Sequence, residues 1–132
     1  MTDIGYILDL FDWNQSPDNQ KAGLELAKKV TSINVFLQPG DEKHNKNVWE
    51  NCAKTLYERS DSELKPYLDK MMEWLIDMNW PGAFCIFERL KLYDDKVWLK
   101  SVLSLTIERA KALKEFIWLD NLEFLRQNLG SS

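Results

Sequence analysis

The sequence predicts an all-α fold, on three observations. Apolar residues recur at spacings of three and four along almost the whole chain, and strict alternation is nowhere sustained. Five Gly and four Pro are too few for a many-stranded β protein with its tight turns. At 132 residues the chain has the size of one domain, able to bury roughly two-thirds of its unfolded surface. Residues 1–132 are therefore expected to form a single domain of helices.

The first helix is expected from about Asp3 to Trp13, with Ile4, Ile7, Leu8 and Phe11 on one face. Asn14-Gln15-Ser16-Pro17 breaks it. Ser16 is placed as an N-cap and Pro17 as the first residue of the second helix, where a missing N–H costs nothing. That helix turns Ala22, Leu26, Ala27 and Val30 inward and ends near Thr31. Residues 32–45 are the least regular: Ile33, Val35, Phe36 and Leu37 fit a short buried turn or extended piece, and Gln38-Pro39-Gly40-Asp41 is a turn signal. His44, among Lys and Asn, reads as a solvent-exposed loop residue. A third helix covers roughly Asn47 to Arg59, with Trp49, Cys52, Ala53 and Leu56 on one stripe.

Ser60 and Glu63 have capping-box spacing for a fourth helix reaching Met78. Its core positions are Leu64, Leu68, Met71, Met72 and Leu75, and Pro66 falls in its first turns. Asn79-Trp80-Pro81 opens the fifth, with Asn79 as cap and Ala83, Phe84, Phe87 and Leu90 as the buried face. Asp94-Asp95 starts a sixth through Trp98, Leu99, Val102, Leu103 and Thr106. Phe116, Leu119, Leu122, Leu125 and Leu129 form the last apolar series, with a candidate restart at Asp120, three residues before Glu123.

Short links between helices make neighbours antiparallel and predict stacked hairpins, clearest over residues 47–77 and 80–110. Each begins with a tryptophan followed by a small pair: Trp49 with Cys52-Ala53, and Trp80 with Gly82-Ala83. The 31-residue offset between those tryptophans lies in the range of α-solenoid repeats. An open stack of about three helix hairpins, with about six or seven helices, is favoured over a closed four-helix bundle.

Two segments carry a resemblance: Trp49-Glu50-Asn51-Cys52-Ala53, and Glu73 to Ala83, which contains Trp-Leu-x-Asp-x-Asn-Trp-Pro from Trp74 to Pro81. They resemble a bacterial family of small HEAT-like helical-repeat proteins of unknown function. The resemblance covers about residues 45–110 and, more loosely, residues 12–27. It implies a short HEAT-like α-solenoid and no particular reaction. Its members look similar to proteins of bacterial toxin–immunity systems, an association rather than a mechanism.

At the corner between Trp74 and Ala83, Asp77 and Asn79 are expected to cap and staple the turn and Pro81 to fix the start of the next helix. Trp74 and Trp80 then pack around the corner, and Gly82 and Ala83 admit a neighbouring helix. The functional alternative leaves one or both tryptophans at a groove edge as anchors. Of six tryptophans, Trp13, Trp49, Trp98 and Trp118 fall at helix ends or amphipathic boundaries. Most should wedge between layers, with one or two on a surface.

Seventeen basic against 21 acidic residues, net −4, with a pI near 5.0, argue against a nucleic-acid footprint. Asp3, Asp9, Asp12 and Asp18 precede the first basic residue, Lys21. Glu58, Asp61, Glu63, Asp69, Glu73 and Asp77 form a second acidic series diluted by Arg59, Lys65 and Lys70. Such series are either solvated faces or surfaces that capture a basic partner. Two cysteines, Cys52 and Cys85, give neither a disulfide framework nor a zinc site, and fit small core side chains in a reducing, cytoplasmic setting. A signal peptide's basic start and apolar stretch are missing, as is any apolar run of the ~18–20 residues that cross a bilayer. Phosphate-loop, nucleophile-elbow and metalloprotease patterns are absent, and there is a single histidine.

The expected function is a non-enzymatic protein-binding module using no cofactor or metal, and contacting no nucleic acid, membrane or small-molecule substrate. Its sharpest form is an immunity or antitoxin-type protein that occludes a basic toxin domain through an acidic, Trp-containing face. Trp49, Glu50, Glu73, Trp74, Asp77, Asn79 and Trp80 are the candidate partner-binding residues. The alternative is a scaffold or adaptor gripping a helix or peptide in a solenoid groove. An apolar rather than acidic groove separates the two.

Overall fold

The computed structural model describes residues 3–39 and 44–130, and no β-strand occurs among them. Helix α1 (Ile4–Phe11) starts where the Asp3 carboxylate accepts the Tyr6 N–H. Helix α2 (Pro17–Ala27) starts at the expected cap, with Ser16 Oγ accepting from the Asn19 N–H and Pro17 in first position. It stops short of Thr31. Ala22, expected inward, is exposed, and Gly23 takes the buried position. A Cβ there would come within 2.9 Å of Leu10 Cβ, so the missing side chain is what lets α1 and α2 close. A 3-10 turn, Ile33–Phe36, buries Ile33 and Phe36. Gly40 and Asp41 of the expected turn lie outside the described residues.

A 3-10 turn, Lys46–Val48, leads into α3 (Trp49–Tyr57). The capping box then forms as expected: Ser60 Oγ accepts from the Glu63 N–H while the Glu63 carboxylate accepts from the Ser60 N–H. The long fourth helix does not form. In its place stand α4 (Asp61–Leu64), a 3-10 turn at Lys65–Tyr67, α5 (Leu68–Met72) and a 3-10 turn at Glu73–Ile76. Pro66 sits in the first of those turns, where its missing N–H and its ring interrupt the regular ladder.

Helix α6 (Ala83–Leu92) begins later than expected. Asn79 is not its cap: the Asn79 N–H donates to Asp77 Oδ1 at 2.8 Å, which places Asn79 in a preceding turn. The cap position belongs to Gly82, in a left-handed conformation (φ 86°). Helix α7 (Lys96–Ala112) starts where the Asp95 carboxylate accepts the Trp98 N–H. Helix α8 (Phe116–Asn128) has Glu115 as its N-cap and follows the left-handed Lys114, whose φ is 58°. Asp120 therefore lies inside α8 and restarts nothing.

Helices α1 and α2 pair, as do α7 and α8, but the two hairpins expected over 47–77 and 80–110 are not the main contacts. The chief helical partner of α3 is α6, and that of α5 is α7, each skipping an intervening piece of chain. Buried side chains from Ile7 to Leu129 join in one core.

Side chains from further along the chain close the carbonyl ends of several helices. Arg59 Nη2 donates to Ala27 O at the end of α2. Arg89 donates to Tyr57 O (3.1 Å) and Arg59 O (2.9 Å) at the end of α3, and Lys96 Nζ to Tyr93 O (2.6 Å) beyond α6. Asn51 Nδ2 serves Phe11 O in the same way, and the Trp118 indole serves Met72 O. A helix end carries unsatisfied carbonyls, and cationic or N–H donors there are stabilising. No described helix is long and apolar enough to cross a membrane.

Candidate functional site

Three tryptophans meet at the corner between α3 and α6. Trp49 opens α3 and donates its indole N–H to His44 O at 3.2 Å; Trp74 donates to Pro81 O at 2.8 Å. The Trp49 ring meets Trp74 edge-on at 6.1 Å and Trp80 edge-on at 5.3 Å. The Lys46 ammonium lies 5.7 Å from the ring centres of both Trp49 and Trp80. The 31-residue offset thus joins two tryptophans in direct contact. Gly82 and Ala83 do admit a neighbouring helix: a Cβ on Gly82 would fall 2.6 Å from Ala53 Cβ. His44 is exposed, as expected, and lends the corner its backbone carbonyl.

The seven candidate partner-binding residues separate on this geometry. Trp49 (1% exposed), Trp74 (0%) and Glu73 (5%) are enclosed, so their surface role is corrected to packing. The reason for the two tryptophans is the close approach of α3 and α6 over Ala53 and Gly82. For Glu73 it is a 3.0 Å ion pair with Arg109, whose guanidinium lies 5.2 Å from the Trp118 ring centre. Asp77 is half-buried and occupied by the Asn79 N–H, and Trp80 is half-buried. Glu50 and Asn79 are exposed. Of the expected acidic, tryptophan-bearing face, Glu50 and Asn79 are exposed and Asp77 and Trp80 reach the surface in part.

Much of the acidic series is also engaged in structure. Asp61 accepts from Arg89 at 2.5 Å and from the Asp94 N–H at 2.9 Å. Burial on its own raises the Asp61 pKa, but the Asp94 amide and the Arg89 guanidinium more than offset this and hold it below the ordinary 3.8. Glu63 is likewise held low, chiefly by the Ser60 N–H and hydroxyl.

Neither thiol is poised to react. Burial pushes the Cys52 thiol well above its ordinary 9.0, and burial, then the nearby Glu50 carboxylate, pushes Cys85 up to about 11. Cys85 should therefore carry about a hundredth of the thiolate of an unperturbed cysteine at neutral pH. Titration with a thiol reagent should label Cys85 slowly in the folded protein and Cys52 only on unfolding. Rapid labelling of either would contradict this packing. Among the described residues no three His, Cys, Asp or Glu gather in a way that could hold a metal ion.

Sequence reasoning missed the face shared by α6 and α8. Phe84, expected in the core, is 68% exposed, and Phe124 is 58% exposed. They flank a cleft of about 420 Å³ lined by Met78 and Phe87 as well, where the Phe87 and Phe124 rings stack at 5.7 Å. Its polar lining is Glu88 with Lys91 and Asn121 with Asn128, so the charges cancel. The signal was present in the sequence as Phe84, Glu88 and Lys91 at helical spacing, an aromatic on a charged stripe. The exposed tryptophans are Trp13 and Trp98, the latter with the Lys65 ammonium 4.8 Å from its ring centre.

No curated protein and no solved structure matches the chain. A family model described as "Domain of unknown function (DUF5071)" matches residues 42–129. That stretch is about two-thirds of the chain and contains both the tryptophan corner and the α6–α8 face. On this match the chain belongs to the DUF5071 family.

Proposed function

We propose that the chain is a non-enzymatic protein-binding module, built as a short HEAT-like stack, that grips an apolar helix or peptide along its α6–α8 face. The observation that carries the reading is the pair of exposed rings, Phe84 and Phe124, over the Phe87 floor. Leaving a phenylalanine in water forgoes about 1.5–3 kcal/mol of burial, which a docking helix recovers. The cancelled charge in the cleft favours a scaffold or adaptor role over capture of a basic partner. The HEAT-like part of the reading rests on the sequence resemblance, since α3 packs on α6 and α5 on α7 rather than within the consecutive hairpins expected.

The immunity or antitoxin-type reading keeps a narrower footing: a net charge of −4, an exposed Glu50 and a half-buried Trp80. It loses Trp49, Glu73 and Trp74 as contacts. Both readings invoke no cofactor, metal, nucleic acid or membrane, and cytoplasmic residence draws its support from two unpaired thiols. Co-expression with the product of the neighbouring open reading frame tests them together. The adaptor reading expects a stable complex weakened at least about tenfold by Phe84→Glu, as for an anchor residue, and unchanged by Glu50→Lys. The reverse ranking favours the acidic-face reading. Absence of both a complex and any rescue of growth counts against either.

A further inference from the structure

We infer that the angle between the Trp49 and Trp80 rings is a binding site for a weakly hydrated organic cation, a guanidinium or a methylated ammonium group, which Lys46 closes at rest. The inference does not rest on the α6–α8 reading. The two ring planes stand at 89° with their centres 5.3 Å apart, and the Lys46 ammonium lies 5.7 Å from each centre. Those three points form a nearly equilateral triangle, so a positive charge already occupies the angle between two perpendicular aromatic walls. Aromatic walls around a cation are the means by which methylated ammonium ligands are recognised, the negative faces of the rings attracting the charge.

The walls are set before any ligand arrives. The Trp49 indole N–H is tied to His44 O at 3.2 Å, and Trp74 meets the same ring edge-on at 6.1 Å. The Trp80 backbone N–H donates to Asp77 O at 3.0 Å. Lys46 can leave without disturbing them. It is exposed, its carbonyl is held by the Trp49 backbone N–H, and its ammonium rides on a flexible four-carbon stem. With Lys46 in place Trp49 is enclosed and Trp80 half-buried, so a ligand has to take the position of the ammonium. A lysine ammonium is strongly hydrated and a guanidinium is not, so the exchange favours the incoming group. Two cation–π contacts at an exposed site amount to about a tenfold preference for the closed arrangement, and the apparent affinity of a ligand is reduced by that factor.

The test is a titration of the full chain with tetramethylammonium chloride and, separately, with N-acetylarginine amide, following the indole N–H signals by NMR. Both titrations run to about 100 mM, past the millimolar range of so small a contact, against sodium chloride at equal ionic strength. The expected result is a saturable shift of the Trp49 and Trp80 signals that sodium chloride does not produce. Lys46→Ala should tighten the response about tenfold. Trp80→Leu should abolish it, and Trp80→Phe, which keeps a smaller ring, should retain a weaker one. Circular dichroism checks that each variant is folded. The tighter of the two probes names the source, a partner's arginine side chain or a free methylated amine. No saturable shift with either probe, no gain in Lys46→Ala, or an unchanged response in folded Trp80→Leu overturns the inference.

Discussion

Gly82→Ala should destabilise the protein by about 2–5 kcal/mol, from two independent penalties. The backbone at Gly82 has φ 86°, where an L side chain costs about 1–2 kcal/mol. The added Cβ would also sit 2.6 Å from Ala53 Cβ, 3.1 Å from Trp49 O and 3.3 Å from Trp74 Nε1. None of these is the free end of a flexible side chain, so the helices must part, and overpacking of this kind costs about 1–3 kcal/mol. Gly130→Ala is the control. Its φ is 77°, but nothing lies within 4 Å of its would-be Cβ, so only the conformational penalty applies. Urea unfolding of the two variants side by side separates the terms. Equal losses would mean that the α3–α6 contact is slacker than described.

Arg89→Met should cost about 3–5 kcal/mol, the range for removing one partner of a buried ionic group. Arg89 is 7% exposed and satisfies Tyr57 O, Arg59 O and the Asp61 carboxylate together. Methionine fills the volume and supplies no donor. A pH signature accompanies the loss. The folded-state pKa of Asp61 lies below its ordinary 3.8, so Asp61 contributes stability that is fully present above about pH 4 and lost as pH falls through the folded value. Removing Arg89 removes one of the groups that depress it. The wild type should thus lose more stability than the variant between pH 5 and pH 3, values that bracket the ordinary carboxylate range. Identical pH profiles by urea unfolding would show that Arg89 and Asp61 are not coupled. The side chain of Asp61 is 33% exposed, so the pH effect should be the smaller part of the change.

What could be read from the sequence was local. Ser16 with Pro17, and Ser60 with Glu63, marked helix starts because an N-cap needs only the residues within one turn of it. Asp120 with Glu123 has the same spacing and marks nothing, since the chain is already helical from Phe116. The real break lies at Lys114, a left-handed residue that no compositional feature announces. The misreading of Phe84 is of another kind. Ala83, Phe84 and Phe87 are all apolar at helical spacing, and which of them faces the core depends on α3 seating against Ala83 and Gly82. The burial of Trp49, Trp74 and Glu73 follows from that same long-range contact and from Arg109, 36 residues beyond Glu73. The pairing of α3 with α6 and of α5 with α7 was equally hidden, because short links constrain direction and leave the choice of neighbour to the faces.

The seam between α2 and α3 sets a limit on how this protein can be divided. The family-model match begins at residue 42, after both N-terminal helices. Asn51 and Arg59 inside that stretch nevertheless reach back for Phe11 O and Ala27 O, and Ile7, Phe11 and Phe36 belong to the shared interior. A shortened protein starting at residue 42 would lose both of these carbonyl contacts and open an apolar wall to water. The stretch that the family model matches is thus shorter than the stretch that packs into one interior.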